Sequence, residues 1–357
     1  MIKLSHSSVT KYVECPKSYF YHYVKGYRPK VQSSALLFGT AIDKATEHYL
    51  LSKDKKASQQ LFESTWERQV VNGLETDLKT LTEFTYGNRD LDLDILNKTE
   101  LSEINQELLE KAIELKNQFG YKNLPEELKL EFNKANWICL RRKGLHMLKE
   151  FYRVADENIL EVLGTQVEIK LENEDGDLVT GFADAVVRYK GFDKPVILDF
   201  KTSGIDYEED SVRTSPQLST YVFALGDKYE NTKTAGFFVL NKNMIKVKKK
   251  VCSVCENDGS GGRHKTCDAV VEGKRCNGEW NESFFVKAKS QIVIDQINEV
   301  LMENVVDNFN EVQKGIKAQV FPRCLSNCVK YNGAVVCPYF SLCHEGKMED
   351  LIEKEKV

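Results

Sequence analysis

Short apolar runs separated by turn residues predict β-structure in the centre of this chain. Residues 185–187 and 196–198 are aliphatic runs with charges at their ends, and 191–195 between them supplies glycine, aspartate and proline. This pattern predicts two adjacent strands or a hairpin. Polar and apolar residues alternate over 166–172, while 235–240 is uniformly apolar, which predicts one half-buried and one buried strand.

Two further patterns follow along the chain. In residues 245–251 apolar residues alternate with lysines, which predicts a strand. Residues 282–288 are predicted to form a second strand that returns antiparallel to it. Residues 51–160 are highly charged with apolar positions three or four apart, which predicts a mostly helical segment with a loop at 87–90. Residues 289–318 show the same helical spacing, and an amphipathic helix is predicted there.

The first fifty residues predict short helices interrupted by proline and glycine. Ser7 or Ser8 can cap a first helix. Pro16 can begin a second. Gly39 precedes a third predicted helix, which carries Asp43.

Composition narrows the class of protein. The chain has 357 residues, 41% of them hydrophobic, which allows about two globular domains. No apolar run is long enough to cross a membrane. The N-terminus lacks a secretory pattern, so we expect a cytoplasmic location, in the host cytoplasm if the source is viral. The net charge of −4 argues against extensive coating of nucleic acid but allows a local basic groove.

Acids and a lysine are predicted to meet at the ends of two central strands. Asp199 and Lys201 are two apart on one strand and therefore point the same way. An adjacent strand can bring Asp184 to that face. Mg²⁺ and Mn²⁺ prefer such oxygens, and the Phe200 carbonyl could add another. A metal held there polarises a phosphoryl oxygen, and a nearby lysine can position the attacking water or stabilise charge on the phosphate.

A polar pair follows this motif. Pro216 can begin a helix, and Gln217 and Tyr221 lie four apart, so both project from one face toward a substrate phosphate. The ordered set of Asp184, the run DFKT at 199–202 and the Gln217/Tyr221 pair resembles the PD-(D/E)xK nuclease superfamily, specifically its RecB-like exonuclease branch.

The first fifty residues are also similar to that branch, which carries SxSxxxxYxxCPxxY and FGTxxHxxxE patterns. Asp43 stands where the family often has a metal-binding histidine, and aspartate is a competent ligand. The family often has an acid in the preceding strand too, so Glu168 can line the metal site. An exposed edge residue is an equally good interpretation of Glu168.

The resemblance implies a restriction-endonuclease-like α/β core, with a central mixed sheet flanked by helices, a helical insertion and a small zinc-binding insertion. It implies a Mg²⁺- or Mn²⁺-dependent deoxyribonuclease, an exonuclease that acts on DNA ends or single strands in recombination, repair or replication. Asp184, Asp199 and Asp43 would bind the metal, Lys201 would position water, and the Gln217/Tyr221 pair would orient the substrate. A helicase or recombination protein is a further expected partner.

The alternative is a non-catalytic DNA-binding or scaffold subunit of a nuclease/helicase complex. The Asp…Asp-x-Lys set speaks against it. RNA as the substrate also stays open.

Ten cysteines in a chain expected to be cytosolic favour metal ligands over disulfides. Cys252 and Cys255 form a tight thiolate turn, and Cys267 and Cys276 can complete a tetrahedral S4 site for structural Zn²⁺. His264 can replace one ligand. The ion would fold a loop too small to bury a core. The surrounding lysines and arginines could contact DNA phosphates, or form a charged surface loop.

The remaining cysteines near the C-terminus are Cys324, Cys328, Cys337 and Cys343. The run CPYFSLC resembles the end of the iron–sulfur motif of RecB-like nucleases, including the AddB subunit and CRISPR-associated relatives. The resemblance implies a [4Fe–4S] cluster in which Cys15 joins three of these four, although the family's usual CxxC is absent. Four thiolates suffice for such a cluster. A second zinc is the alternative.

The insertion carries no chemistry that the sequence assigns. Arg141, Arg142 and Lys143 are adjacent basic residues. A solvated helix face is the simpler interpretation, and contact with phosphates is the alternative. Cys139 lies among apolar residues and is predicted to be a buried free thiol.

The patterns divide the chain into six parts. These are an N-terminal nuclease and cluster region at 1–50, the helical insertion at 51–160, the nuclease core at 161–250, the zinc knuckle at 251–281, a C-terminal strand, helix and iron–sulfur clasp at 282–345, and a charged tail at 346–357. The family resemblance covers 1–50, 160–240 and 320–345.

Overall fold

The computed structural model describes residues 2–30, 34–71, 89–172, 176, 178–257, 265–330 and 335–353. The helices are α1 His6–Glu14, α2 Pro16–Tyr19, α3 Ser34–Ser52, α4 Lys55–Val71, α5 Arg89–Ile95, α6 Lys98–Ser102, α7 Gln106–Phe119, α8 Glu126–Asn158, α9 Pro216–Leu225, α10 Glu299–Lys317 and α11 Phe340–Glu345. The strands are β1 Lys3–Leu4, β2 Tyr27–Pro29, β3 Ile159–Glu172, β4 Leu178–Tyr189, β5 Val196–Ser203, β6 Thr234–Cys252, β7 Val270–Val271, β8 Lys274–Arg275, β9 Trp280–Gln296, β10 Val329–Lys330, β11 Val335–Val336 and β12 Leu351–Glu353.

A mixed sheet forms the centre of the molecule. Its strand order is β1-β4-β5-β6-β9, and β3 pairs with β4. The β4–β5 pair is the predicted antiparallel hairpin, β6 runs parallel to β5, and β9 returns antiparallel to β6. The chain therefore has the α/β fold with a central mixed sheet that the sequence predicts.

The edge of β4 that faces β5 divides into two parts. β3 pairs along the full length of β4 on one edge, so β1 and β5 must share the other edge. β1 pairs at Leu178 and Val179, whereas β5 pairs only from Ala185 onward. Residues 180–184 between them form a fork in the sheet, and Asp184 stands at its inner end.

Helices cover both faces of the sheet. On one face, α3 and the long α8 pack against β5 and β6, where Phe151 contacts the rings of Phe200 and Phe238. On the other face, α9 buries Leu218 and Val222 against a separate apolar cluster. The described helices of the insertion, α4 to α8, extend the first layer. No described helix is both long and apolar enough to cross a membrane.

The prediction of a helix over 289–318 was wrong in its first third. Residues up to 296 belong to β9, and α10 begins only at Glu299, where the Asn298 side chain accepts a hydrogen bond from the Val300 amide. Ile292 and Ile294 pack toward α8, while Val293 packs toward α9. A strand covered on both faces has consecutive apolar residues, which resembles helical spacing in a short window.

Three local predictions also need correction. Ser5, not Ser7 or Ser8, caps α1, and it exchanges hydrogen bonds with Ser8 in a capping box. Gly39 lies inside α3 rather than before it. Of the loop predicted at 87–90, residues 89–90 belong to α5, and 87–88 lie outside the described residues.

The two ends of the chain pack together. β12 pairs antiparallel with β2, and the Tyr339 hydroxyl donates to the Tyr27 carbonyl at 3.0 Å. The Lys17 amide donates to the Pro322 carbonyl at 3.1 Å. These contacts bring Cys15 beside the C-terminal cysteine segment, as the resemblance implies.

Candidate active site and cysteine sites

Asp199 and Lys201 project from the same side of β5, as their spacing predicts. Asp199 is 2% exposed, and the Lys201 ammonium lies 2.5 Å from its Oδ2. A carboxylate this deeply buried requires a compensating charge. The Lys201 ammonium supplies this charge from two residues further along the same strand.

The start of α9 directs two polar side chains at Asp199. The Ser215 hydroxyl accepts from the Leu218 amide at 3.2 Å and caps the helix, and Pro216 occupies its first turn. Gln217 is therefore held on the first turn, with Tyr221 one turn later on the same face.

A closed hydrogen-bond network links these four residues. The Gln217 amide nitrogen donates to Asp199 Oδ1 at 2.9 Å and to the Tyr221 hydroxyl at 2.6 Å, and the Tyr221 hydroxyl in turn donates to Asp199 Oδ1 at 3.4 Å. Lys201 donates to the Gln217 carbonyl oxygen at 3.1 Å. The network fixes the orientation of the Gln217 amide between an acid and an ammonium.

Asp184 joins the site from β4. Its Oδ2 accepts a hydrogen bond from the Phe200 amide at 2.7 Å, and its Oδ1 accepts one from the Gln166 side chain at 3.4 Å. Gln166 adopts a φ of +44°, a left-handed conformation that is uncommon for residues other than glycine. Sequence reasoning missed Gln166, because no local pattern signals this backbone conformation.

Asp43 approaches the same group from α3. Burial and the nearby Asp199 carboxylate raise the pKa of Asp43 to about 7, and the same two causes raise the pKa of Asp184 to about 7. Burial also raises the pKa of Asp199. Mutually repelling buried carboxylates show that the three acids share one site.

Carboxylates are the ligand type that a hard divalent cation takes, although among the described residues only the four-cysteine group brings three ligand atoms within 4.8 Å of one another. Asp199 Oδ2 is buried and has no aligned hydrogen-bond donor among the described residues, although the Lys201 ammonium is close. An ion bound between Asp43, Asp184 and Asp199 would remove the repulsion and satisfy this oxygen. For Phe200, the structure brings the amide rather than the carbonyl to Asp184, so its role as an oxygen ligand stays a prediction.

Lys201 remains a cation in this site. Burial alone lowers the pKa of Lys201, but the carboxylates of Asp199 and Asp184 outweigh it and raise the pKa overall. Burial and Asp199 similarly raise the pKa of Tyr221. Both groups are therefore protonated hydrogen-bond donors at neutral pH.

A cavity of about 350 Å³ opens beside Lys201 at the fork in the sheet. Its walls come from the start of α1, the unpaired stretch of β4 and the exposed face of α9; they include Ser5, His6, Ser7, Thr180, Phe182, Gln217 and Tyr221. Burial and Lys201 lower the pKa of His6 to about 4, so this imidazole is neutral at physiological pH. His6 lies far from the carboxylates in sequence, and no motif pointed to it.

Glu168 does not join the site. Its side chain is 50% exposed and pairs with Lys170 on the same strand at 2.9 Å. Glu168 is thus an edge residue, the second of the two interpretations that the sequence allows.

Four cysteines form a compact group at the tip of the β6–β9 hairpin. The sulfur atoms of Cys252, Cys255, Cys267 and Cys276 all lie within 4.8 Å of one another. The Cys252–Cys276 and Cys255–Cys267 sulfur separations are 3.5 and 3.6 Å. Tetrahedral zinc with Zn–S bonds of about 2.3 Å places its sulfurs about 3.8 Å apart, so the group fits one such ion. His264 lies outside the described residues.

The backbone around Cys252 favours its thiolate form. The amides of Cys255 and Val254 lower the pKa of Cys252 to about 6. A Cβ on Gly278 would lie 2.4 Å from the Cys252 sulfur, so only glycine leaves room for the group. Metal-binding cysteines must be deprotonated. The amides favour that state at Cys252, whereas burial raises the pKa of Cys267 and the pKa of Cys255 is also raised.

Cys15 and the four C-terminal cysteines are near one another but more widely spaced than the group at the hairpin tip. Burial raises the pKa of Cys328, with contributions from Cys343, Cys15 and Cys324. Burial likewise raises the pKa of Cys337, which also interacts with Cys328 and Cys15. Within the described part of the chain, no three of these sulfurs lie within 4.8 Å of one another. Their arrangement therefore differs from the compact group at the hairpin tip.

The family comparison agrees with the fold. The sequence model of the PD-(D/E)XK nuclease superfamily matches residues 3–344, and the chain belongs to this superfamily. Membership indicates a metal-dependent nuclease, a phosphodiesterase that acts on DNA. A solved structure described as "Crystal structure of SSO0001" is 13% identical and covers 66% of this chain and 81% of that chain, with a TM-score of 0.26. No curated protein matches the sequence.

Proposed function

We propose that this protein is a deoxyribonuclease of the RecB-like branch that degrades DNA from ends or as single strands. One observation carries the proposal: Asp199 contacts both Lys201 and the Gln217/Tyr221 pair, while Asp184 and Asp43 face it. The acids, the Lys201 ammonium and the Gln217 amide therefore meet beside the fork in the sheet.

Asp43, Asp184 and Asp199 would hold Mg²⁺ or Mn²⁺. When bound, the ion polarises a phosphoryl oxygen and acidifies a coordinated water. The Phe200 and Gln166 donors orient the Asp184 carboxylate, which keeps the ligand geometry rigid. Hydrogen bonds to the ligands of a metal commonly fix the ligand orientation in this way.

Lys201 and Gln217 act on the phosphate and the attacking water. Lys201 is held by Asp199 and by the Gln217 carbonyl oxygen, so its remaining hydrogen can be donated to a developing negative charge. The Gln217 and Tyr221 side chains line the cavity, where they orient the sugar–phosphate backbone. Fixing reactants in this way supplies part of the rate enhancement.

The size of the cavity supports a single strand as substrate. Its volume of about 350 Å³ suits a group the size of one nucleotide. The exposed ring of Phe182 at its wall can stack on a base, a contact that does not depend on sequence. A strand that enters one nucleotide at a time is expected for an enzyme acting at ends.

The test is Mn²⁺-dependent digestion of single-stranded DNA labelled at its 5′ or 3′ end. We expect Asp184→Ala to lower the rate by at least about hundredfold with an unchanged circular dichroism spectrum. Glu168→Gln, an acid on the neighbouring strand outside the site, is the matched control and should retain the wild-type rate. Digestion by Asp184→Ala at the wild-type rate would refute the assignment, and rapid cutting of circular single strands would refute the exonuclease.

We also propose a [4Fe–4S] cluster held by Cys15 and three of the four C-terminal cysteines, Cys324, Cys328, Cys337 and Cys343. A single zinc needs its sulfurs about 3.8 Å apart, whereas these are more widely spaced. A cluster of several irons spans a larger space and also takes four thiolates. Anaerobically purified protein should be brown and contain iron; a colourless protein with a second zinc would contradict this.

The compact group of Cys252, Cys255, Cys267 and Cys276 is proposed to bind structural Zn²⁺. Its sulfur separations and the lowered pKa of Cys252 support this ion. All four positions are occupied by protein sulfurs, so the site is closed and has no place for a substrate. Metal analysis should find one zinc per chain.

A further inference from the structure

Beyond the central sheet, β6 and β9 continue as a separate hairpin, here called the arm. The β5–β6 pairing ends at Ser203 and Asn241, whereas β6 and β9 remain paired from Ile245 with Lys287 to Cys252 with Trp280. The arm is therefore a two-stranded projection that ends in the four-cysteine group. A two-stranded hairpin is marginally stable on its own in water. A metal bound at its tip would stabilise it.

The base of the arm is fastened to the loop that follows Lys201. The Asn241 side chain donates to Asp206 Oδ1 at 3.1 Å, Lys289 pairs with the same carboxylate, and the Asn243 side chain donates to the Gly204 carbonyl. The arm thus has a fixed position relative to the catalytic strand β5.

One face of the arm continues the catalytic face of the sheet. Alternate residues of a strand share a face, and residues paired across strands lie on the same face. In β9, Val293 packs on the side of α9 and Asp199, while Val286 and Ala288 pack on the α8 side. Phe285 therefore lies on the catalytic face, together with its partner Val247. Ile245 and Lys249 flank Val247 on that face.

This face has the chemistry of a nucleic-acid contact. Phe285 is 45% exposed and Ile245 is 43% exposed, and Lys249 forms no ion pair with any described residue. On this face, the paired residues from Ile245 and Lys287 to Val251 and Asn281 include two lysines and no acid. Of the two, Lys287 pairs with Glu150, while Lys246, Lys248 and Lys250 alternate to the opposite face. Aromatic rings interleaved with cations bind single strands by stacking on bases and neutralising phosphates.

We propose that the catalytic face of the arm is a track for the single-stranded part of the substrate. Phe285 stacks on a base, Ile245 and Val247 form an apolar floor beside it, and Lys249 contacts a phosphate. The occupant is a polyanion because this face of the arm carries Lys249 and no acid, and the loop that follows Lys201 fastens the base of the arm beside the catalytic strand. The proposal rests on the nuclease function and names how that site receives its strand.

The test compares two adjacent phenylalanines on opposite faces of the arm. Phe284 is 51% exposed but lies on the α8 face, where the Lys246 ammonium covers its ring at 4.4 Å. Binding of fluorescein-labelled oligothymidylate to the full chain is measured by anisotropy, with Ca²⁺ in place of Mn²⁺. Phe285→Ala should weaken binding about tenfold, the effect of one lost stacking contact, and Phe284→Ala should change it less than about twofold.

A second variant reports on the phosphate contact. Lys249→Gln should reduce the slope of log affinity against log salt by about 0.7, the value for one phosphate on a single strand. The proposal is overturned if Phe285→Ala binds as tightly as the wild type, or if Phe284→Ala loses as much. It is also overturned if Lys249→Gln leaves the salt slope unchanged.

A small substrate separates this proposal from the nuclease assignment. Thymidine 5′-p-nitrophenyl phosphate reaches the carboxylates without the arm, so Phe285→Ala should hydrolyse it with Mn²⁺ at the wild-type kcat/KM. A loss of this activity in Phe285→Ala would overturn the track by showing that the variant disturbs the catalytic site. If the wild type itself does not hydrolyse this diester or DNA, the nuclease assignment fails, while the oligonucleotide titrations still decide whether the arm binds a strand.

Discussion

The helical insertion buries one charged pair in its core. Lys143 and Asp92 are 3% and 2% exposed, and their charged atoms lie 2.5 Å apart. The sequence places Lys143 in a basic run with Arg141 and Arg142, which we expected to be solvated or to contact phosphates. Instead, the two arginines pair with Glu100, and Lys143 is buried, so the interpretation was wrong at this position.

The buried pair gives a prediction about stability. Asp92→Asn leaves an uncompensated ammonium in the core and should lower the free energy of unfolding by about 3–5 kcal/mol. The double variant Asp92→Leu/Lys143→Met removes both charges and should lose much less. Urea unfolding measures both, and an Asp92→Asn variant as stable as the wild type would contradict the pairing.

His6 gives a prediction about pH. Its folded pKa of about 4 lies below the ordinary value of about 6.5, so the unfolded chain takes up the proton more readily. The stabilising contribution is complete above pH of about 6.5 and is lost as pH falls toward 4. Relative to His6→Asn, the wild type should lose roughly 2 kcal/mol over that range, after allowance for partial exposure. The free energy of unfolding is measured by urea titration at each pH. The same dependence on pH in the wild type and in His6→Asn would contradict this prediction.

At the scale of residues, a local period decides which way some side chains point. Strand alternation places Asp199 beside Lys201, and helical spacing places Gln217 beside Tyr221; the structure brings these groups together. Gln166, His6 and Lys143 were not predictable in this way. Their positions depend on a left-handed backbone residue, on the fork in the sheet and on the packing of α5 against α8.

At the scale of elements, the β6–β9 hairpin shows what a pattern predicts and where it fails. Alternation predicted the antiparallel return of 282–288. The continuation of β9 to Gln296 was not predicted, because both of its faces are covered there. Only the tertiary arrangement of α8 and α9 distinguishes that stretch from a helix.

The tip of the hairpin gives a prediction about metal binding. Gly278→Ala places a methyl group 2.4 Å from the Cys252 sulfur and should abolish stoichiometric zinc while the central sheet stays folded. Gly204→Ala, where a Cβ meets nothing within 4 Å, is the matched control. Zinc is measured by atomic emission after gel filtration. Full zinc content in Gly278→Ala would contradict the proposed site.

For the molecule as a whole, the contacts between the chain ends close the fold around the sheet. β2 pairs with β12, and Tyr12, Tyr19 and Phe321 form an aromatic cluster across the two ends. The proximity of Cys15 to the C-terminal cysteines was expected from the family resemblance alone. The closure involves partners more than 300 residues apart, which no local pattern can reveal.

The closure gives a prediction about iron and thermal stability. Cys15→Ser removes the one proposed ligand from the N-terminal side and should reduce iron to a minor fraction and lower Tm by at least about 5 °C. Cys139→Ala, a buried thiol outside both groups, should leave the iron content unchanged. Equal iron in Cys15→Ser and the wild type would remove Cys15 from the cluster.

In the proposed mechanism, the carboxylates at the fork hold the ion, and the Lys201 ammonium acts on the phosphate and the attacking water. The most direct measurement is the rate of Mn²⁺-dependent single-strand cleavage by Lys201→Met, alongside a calorimetric Mn²⁺ titration of the same protein. Cleavage should fall by at least about hundredfold with Mn²⁺ binding no weaker than in the wild type. Cleavage at the wild-type rate by this variant would contradict the account.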